Sequence, residues 1–146
     1  MESPQEHFLY NILFFAEEVT MPSIDQAQAS QWIRNTITSE ESSYASINII
    51  FCSDEFLIRL NKKHLAHDYY TDIITFQYEK EPIEGELYIS IDRVKENAQE
   101  RKTPYLSELH RVIIHGVLHM IGYGDKSEQE QKIIRSKEDH YLTQIV

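Results

Sequence analysis

The stretch from His115 to Asp125, reading His-Gly-Val-Leu-His-Met-Ile-Gly-Tyr-Gly-Asp, constrains this chain more than any other. On a helix, the four-residue step from His115 to His119 stacks both imidazoles on one face, one turn apart. Gly122 and Gly124 then stop the helix, so the chain can fold back and present the Asp125 carboxylate to the same point. Two imidazole nitrogens and a carboxylate oxygen suit one zinc ion, and three protein ligands leave a fourth position for water. An open position points to chemistry rather than scaffolding.

With seven histidines in the chain, one such pair is a modest signal alone, and the surrounding residues strengthen it. On the helical wheel His115, His119 and Glu108 share one face. Leu106, Leu109, Ile113, Val117 and Met120 lie on another, and Ile114, Leu118 and Ile121 fill much of the remainder. A helix apolar nearly all round is a buried one. Histidines on its only polar strip need partners, which a metal supplies.

The run resembles the signature of the YbeY family, bacterial metal-dependent endoribonucleases of ribosomal RNA maturation, whose pattern is His-Gly-x-Leu-His-x-x-Gly-Tyr-Asp-His. His115, Gly116, Leu118, His119, Gly122 and Tyr123 match position by position, while Gly124 and Asp125 replace the final Asp and His. A carboxylate therefore stands where the family has its third imidazole. Thr71-Asp72-Ile73-Ile74-Thr75-Phe76 resembles the family's Pro-Thr-Asn/Asp-x-Leu/Ile-Ser-Phe strand, with Tyr70 in the proline's place. The arginine that the resemblance would assign to catalysis falls at Leu65, so none is carried over. Arg111, one turn before His115, and Arg59 are the substitutes the sequence offers.

Length and composition describe one globular domain over residues 1–146: 41% of residues are apolar, and four glycines and four prolines leave no linker or repeat. The acidic start and the short apolar stretch at Ile12 to Ala16 fit neither a secretory signal nor a membrane span, which makes the cytoplasm the expected location. The single cysteine, Cys52, sits in an apolar run and reads as a buried thiol. A net charge of −10 argues against binding nucleic acid through generic counterion release. A local basic cleft or docking on a ribosomal protein would reconcile that charge with an RNA substrate.

Residues Phe8 to Val19 suit a helix or a buried strand, and the resemblance favours a strand near Ile12 to Ala16. Ser23 is a cap for a helix to about Ser39, with Ile24, Ala27, Trp32, Ile33 and Ile37 inward. Ile47 to Cys52 reads as a strand covered on both faces. Ser53 or Asp54 caps the next helix, with Phe56, Leu57 and Leu60 inward and Arg59, Lys62 and Lys63 as a solvated stripe. His64, His67 and Asp68 give no ligand geometry and read as solvated. Pro82 to Glu86 is expected as a turn and Leu87 to Ser90 as a strand, completing a two-strand unit from Asp72 to Ile89. Asp92 is the expected cap of a helix to about Arg101. Thr103 and Pro104 open the long histidine helix. Ser127 and Glu130 form a capping box for the last helix, with Ile133, Ile134, Tyr141 and Leu142 inward.

These elements make an α+β domain, a small mixed sheet packed against helices, with the metal site on a long buried helix and its following turn. The leading functional expectation, resting on the resemblance, is a zinc-dependent, single-strand-selective endoribonuclease acting on ribosomal RNA precursors with the small ribosomal subunit as partner. No dinucleotide or other organic cofactor is expected. His115, His119 and Asp125 hold the ion, and Glu108 is placed to orient a ligand. The rivals are a non-catalytic ribosome-assembly module with a structural metal, and another metallohydrolase. A protease fits poorly, because Gly116 stands where His-Glu-x-x-His enzymes carry their general base.

Overall fold

A computed structural model describes residues 11–65 and 71–145, with only the backbone of Leu65. His67, Asp68, Tyr70 and Phe8 lie outside the described residues. Four strands, β1 (Ile12–Glu17), β2 (Tyr44–Cys52), β3 (Ile73–Lys80) and β4 (Ile83–Ser90), form one sheet in the order β1-β2-β4-β3. The pairs β1/β2 and β2/β4 are parallel, and β3/β4 is antiparallel. Among the described residues, five helices pack with the sheet in an α+β domain: α1 (Gln26–Ser39), α2 (Asp54–Leu65), α3 (Ile91–Arg101), α4 (Tyr105–Ile121) and α5 (Glu128–Leu142). No described helix is long and apolar enough to cross a membrane.

Strand alternation divides the core into two layers. Ile47, Ile49 and Phe51 of β2 and Ile83, Leu87 and Ile89 of β4 point to the side where α1, α4 and α5 pack. Cys52, Ile74, Phe76 and Tyr88 point to the other side, under Phe56, Leu57 and Leu60 of α2. β2 lies between two parallel neighbours with helices on both sides, which explains its nearly continuous apolar run. Cys52 is a fully buried free thiol, as its neighbours in sequence require.

Several expected boundaries move, each for a local reason. Asp25, not Ser23, caps α1 by accepting from the Gln28 N–H at 3.0 Å. Ala27, expected inward, is exposed, and Ala29 is buried instead. The β3–β4 turn is Glu81-Pro82, joined by a cis peptide, and β4 already begins at Ile83. The expected turn over Pro82 to Glu86 is thus mostly strand, because Ile83, Gly85 and Leu87 alternate inward. Ser90 caps α3 by accepting from the Arg93 N–H at 3.1 Å. Asp92 instead accepts from the Asp54 N–H at 2.8 Å, across to the start of α2. The N-cap of α4 is Pro104 with no side-chain cap, so Thr103 does not serve there. Leu106 and Ile133, expected inward, are 41% and 44% exposed, and the inward faces of their helices are carried instead by Leu109 and Ile134. The Ser127 and Glu130 capping box is present in both directions.

Candidate metal centre

The helix α4 brings its histidines to the site by packing unusually close to the sheet. Gly116, next to His115, is buried, and a Cβ built there would stand 2.7 Å from Ile73 Cδ1 and 2.8 Å from Leu87 Cδ2. The helix ends in a Schellman motif: the Tyr123 N–H donates to Leu118 O at 3.0 Å and the Gly122 N–H to His119 O at 3.1 Å. Gly122 sits at φ 131°, a conformation that strains any residue with a Cβ. Gly124 has a different use, since a Cβ there would collide with Glu130, the capping-box carboxylate. The exit turn is then tied down by the Gln131 amide, which donates to Asp125 O at 3.0 Å.

These constraints bring together the three residues expected from sequence. His115 Nε2 and His119 Nε2 are 3.0 Å apart, Asp125 Oδ2 is 3.1 Å from His119 Nε2, and it is 3.7 Å from His115 Nε2. A tetrahedral zinc site with bonds of about 2.0–2.1 Å has ligand-to-ligand edges of about 3.3 Å. The observed triangle brackets that value, and its donors are imidazole and carboxylate, so the residues fit the ion that the chemistry calls for. Among the described residues, this is the one group of three metal-competent side chains that converges.

Each imidazole turns its other nitrogen to an acceptor. His119 Nδ1 is 2.8 Å from Tyr123 O, and His115 Nδ1 is 2.6 Å from Glu138 Oε2. Glu138 is a buried carboxylate on α5 that the sequence reading placed nowhere. Burial alone would pull the His115 imidazole down, but the hydrogen bond and charge of Glu138, with Asp72 and Asp125 behind it, hold it above its ordinary value. Glu138 is held below the usual carboxylate range: burial pushes it up, and His115 and Arg111 outweigh that.

Glu108 does not reach the triad. Seven residues of helix separate it from His115, about 10 Å along the axis. It is buried against Arg101, with Nη1 2.5 Å from Oε1. Arg111 lies beside the site with both guanidinium ends engaged, 2.8 Å to Glu138 and 2.7 Å to Asp139. Arg59 is exposed on α2, across the sheet from α4, where it pairs with Glu18 and lies over the Phe56 ring.

A cleft of about 580 Å³ opens beside the triad between α4 and α5, lined by His115 and Asp125 together with Asp72, Arg101, Arg111, Lys132 and Arg135. Glu108, Glu128 and Glu138 complete its charged lining, so four Arg and Lys side chains stand among five carboxylates. Burial pushes the Asp72 carboxyl in this cleft above its ordinary range, against the pull of His115.

Comparison with known proteins agrees with this architecture. A family profile described as Endoribonuclease YbeY matches residues 14–146. A Cytophaga hutchinsonii protein of that name is 46% identical over 134 residues, covering 90% of this chain and 94% of its own. One from Bacteroides fragilis is 42% identical over 132 residues, covering 90% and 95%. The solution structure of a Thermotoga maritima protein superposes with a TM-score of 0.68 at 27% identity, over 90% of this chain and 86% of that one. With the profile spanning nearly all of the sheet and helices that build the site, the chain belongs to the YbeY endoribonuclease family.

Proposed function

We propose that this chain is a zinc-dependent endoribonuclease that cuts single-stranded segments of ribosomal RNA precursors, working in the cytoplasm on the small ribosomal subunit. The relatives' name supports a hydrolase of RNA phosphodiester bonds. The observation that carries the metal assignment is the convergence of His115 Nε2, His119 Nε2 and an Asp125 oxygen at the edge of a cleft lined by both cationic and acidic side chains.

A zinc ion held by these three side chains would supply Lewis acidity toward a phosphate oxygen and lower the pKa of bound water. The chain's own contributions are those of placement. The Gly122 turn and the Ser127 capping box hold Asp125 opposite the histidines. Lys132 offers a cationic group to the substrate's phosphates, and Arg101 and Arg135 would do so by exchanging Glu108 and Glu138 for them. Arg111 stands close enough to His115 to meet the substrate, although its guanidinium must first exchange Asp139 for phosphate.

The test combines metal content by mass spectrometry for the wild type and His119→Ala with cleavage assays on single-stranded RNA, structured RNA and casein. The expected result is stoichiometric zinc and single-strand cleavage, both lost in the variant. Metal without hydrolysis would favour an assembly module with a structural ion, and casein cleavage would favour a protease. Absence of metal from the wild type would overturn the proposal. A steep loss of RNA affinity with salt would show that the cleft's cations reach phosphate.

A further inference from the structure

The described buried carboxylates have different assignments. Glu108 answers Arg101, and Glu40 answers two tyrosines and Lys137. Glu138 is set apart because one of its oxygens meets a histidine of the triad: Oε1 takes the Arg111 Nη1–H at 2.8 Å, and Oε2 meets His115 Nδ1 at 2.6 Å. It is 4% exposed and stands on the inward stripe of α5 with Ile134 and Tyr141, where an apolar residue would otherwise pack.

We propose that Glu138 is a positioning residue of the metal centre, fixing the ring of His115 so that Nε2 presents its lone pair to the ion. This inference rests on the reading that His115 is a ligand.

The argument runs through the two ring nitrogens. A carboxylate only accepts, so a contact of 2.6 Å to Nδ1 requires the proton to be there. Neutral His115 then has Nε2 bare, and that nitrogen is the one directed at His119 Nε2 and Asp125. The charged acceptor also makes the imidazole a stronger donor to a cation. Arg111 keeps the carboxylate itself from rotating, since it holds Oε1 while Asp139 holds the other end of the guanidinium. His119 has the same arrangement with a neutral acceptor, the Tyr123 carbonyl at 2.8 Å. The two ligands are thus oriented by unlike groups, and the side chain that can be mutated belongs to His115.

The alternative is that Glu138 only joins α4 to α5 through Arg111. Glu138→Gln and Glu138→Ala separate the two roles. Gln retains an acceptor for Nδ1 without its charge, whereas Ala removes both. Zinc affinity is measured by competition with a chromophoric chelator, and fold stability of the metal-free proteins is measured alongside. The expected losses of zinc affinity are about 10- to 100-fold for Ala, the range for losing a partner of a metal-bound histidine, and less for Gln. In the metal-free wild type at alkaline pH, nitrogen NMR is expected to find the His115 proton on Nδ1, and in Glu138→Gln the tautomer preference is expected to weaken.

If the wild type binds zinc and both variants bind it equally well while losing stability, Glu138 is a helix tie and the inference fails alone. A His115 proton resident on Nε2 in the wild type would also overturn it. A wild type that binds no zinc would overturn the ligand reading itself, and this proposal with it. Should Glu138→Ala not fold, Glu138→Gln and the wild-type tautomer still decide the matter.

Discussion

Gly116 and Leu87 meet with no room for a methyl group between them: a Cβ on Gly116 would lie 2.8 Å from Leu87 Cδ2 and 3.0 Å from Cδ1. Leu87 is fully buried at the centre of the sheet, so its methyl groups have little space to yield. The glycine after the first histidine therefore belongs to packing, and it sets how deeply α4 seats on β3 and β4.

Gly116→Ala is expected to destabilise the fold by about 1–3 kcal/mol, the usual range for overpacking a filled core. Gly85→Ala should reach the upper end or beyond, because its Cβ would stand 2.6 Å from the Phe76 backbone oxygen, which cannot rotate away. Denaturant midpoints measure both. A Gly116→Ala protein as stable as the wild type would show that α4 can lift off the sheet without loss.

The histidine helix was legible because its signals agree: an apolar wheel, two histidines four apart, and a glycine where the helix must turn. Asp125 followed from that turn. Glu138 was not legible, because a lone carboxylate between Ile134 and Tyr141 reads as a break in an amphipathic stripe until α4 lies opposite it. Its signal was that very break. Glu108 shared a wheel face with the histidines, but a wheel hides axial distance. The caps moved by up to two residues where neighbouring side chains compete for the same role, as Ser23 and Asp25 do before α1.

Glu40, the C-cap of α1, binds the helices around the site to one another. It accepts from the hydroxyls of Tyr123 and Tyr141 and from Lys137 Nζ at 3.1 Å. Burial pushes this carboxyl up, but the three donors outweigh it and hold Glu40 below its ordinary range. A depressed folded-state pKa adds stability that is complete above the unfolded value and is lost as pH falls through the folded one. Glu40→Ala should cost about 2–3 kcal/mol near neutrality. Glu40→Gln should flatten the acid side of the stability profile, as read from urea midpoints across pH. Parallel acid limbs in the two proteins would refute the assignment.

Cys52 should be inert in the native state. It is fully buried, its Sγ–H donates to Ile89 O at 3.5 Å, and burial together with Asp54, Asp92, Glu18 and Glu17 pushes its thiol up to about 12. Thiolate is the reactive form, so a disulfide reagent needs the core to open first. Labelling is expected to follow the rate or population of unfolding, and to quicken in Gly116→Ala in proportion to its lost stability. Rapid labelling of the folded wild type would contradict the packing of β2 against α2.

Of the three candidate ligands Asp125 is the most open to replacement, since its side chain is 46% exposed while those of His115 and His119 are each 27% exposed. Its oxygen lies 3.1 Å from His119 Nε2, and its backbone is fixed by Gln131, so a different side chain would start from the same place. Asp125→Ala should weaken zinc binding by more than the roughly 10- to 100-fold typical of an outer partner, because a direct donor is lost. Asp125→His exchanges the carboxylate for an imidazole. The softer nitrogen should favour zinc over manganese more strongly than the carboxylate does. Competition titrations with both ions measure the change in preference. If Asp125→Ala holds zinc as tightly as the wild type, the third donor is not this carboxylate, and the exit turn of α4 serves the fold without serving the metal.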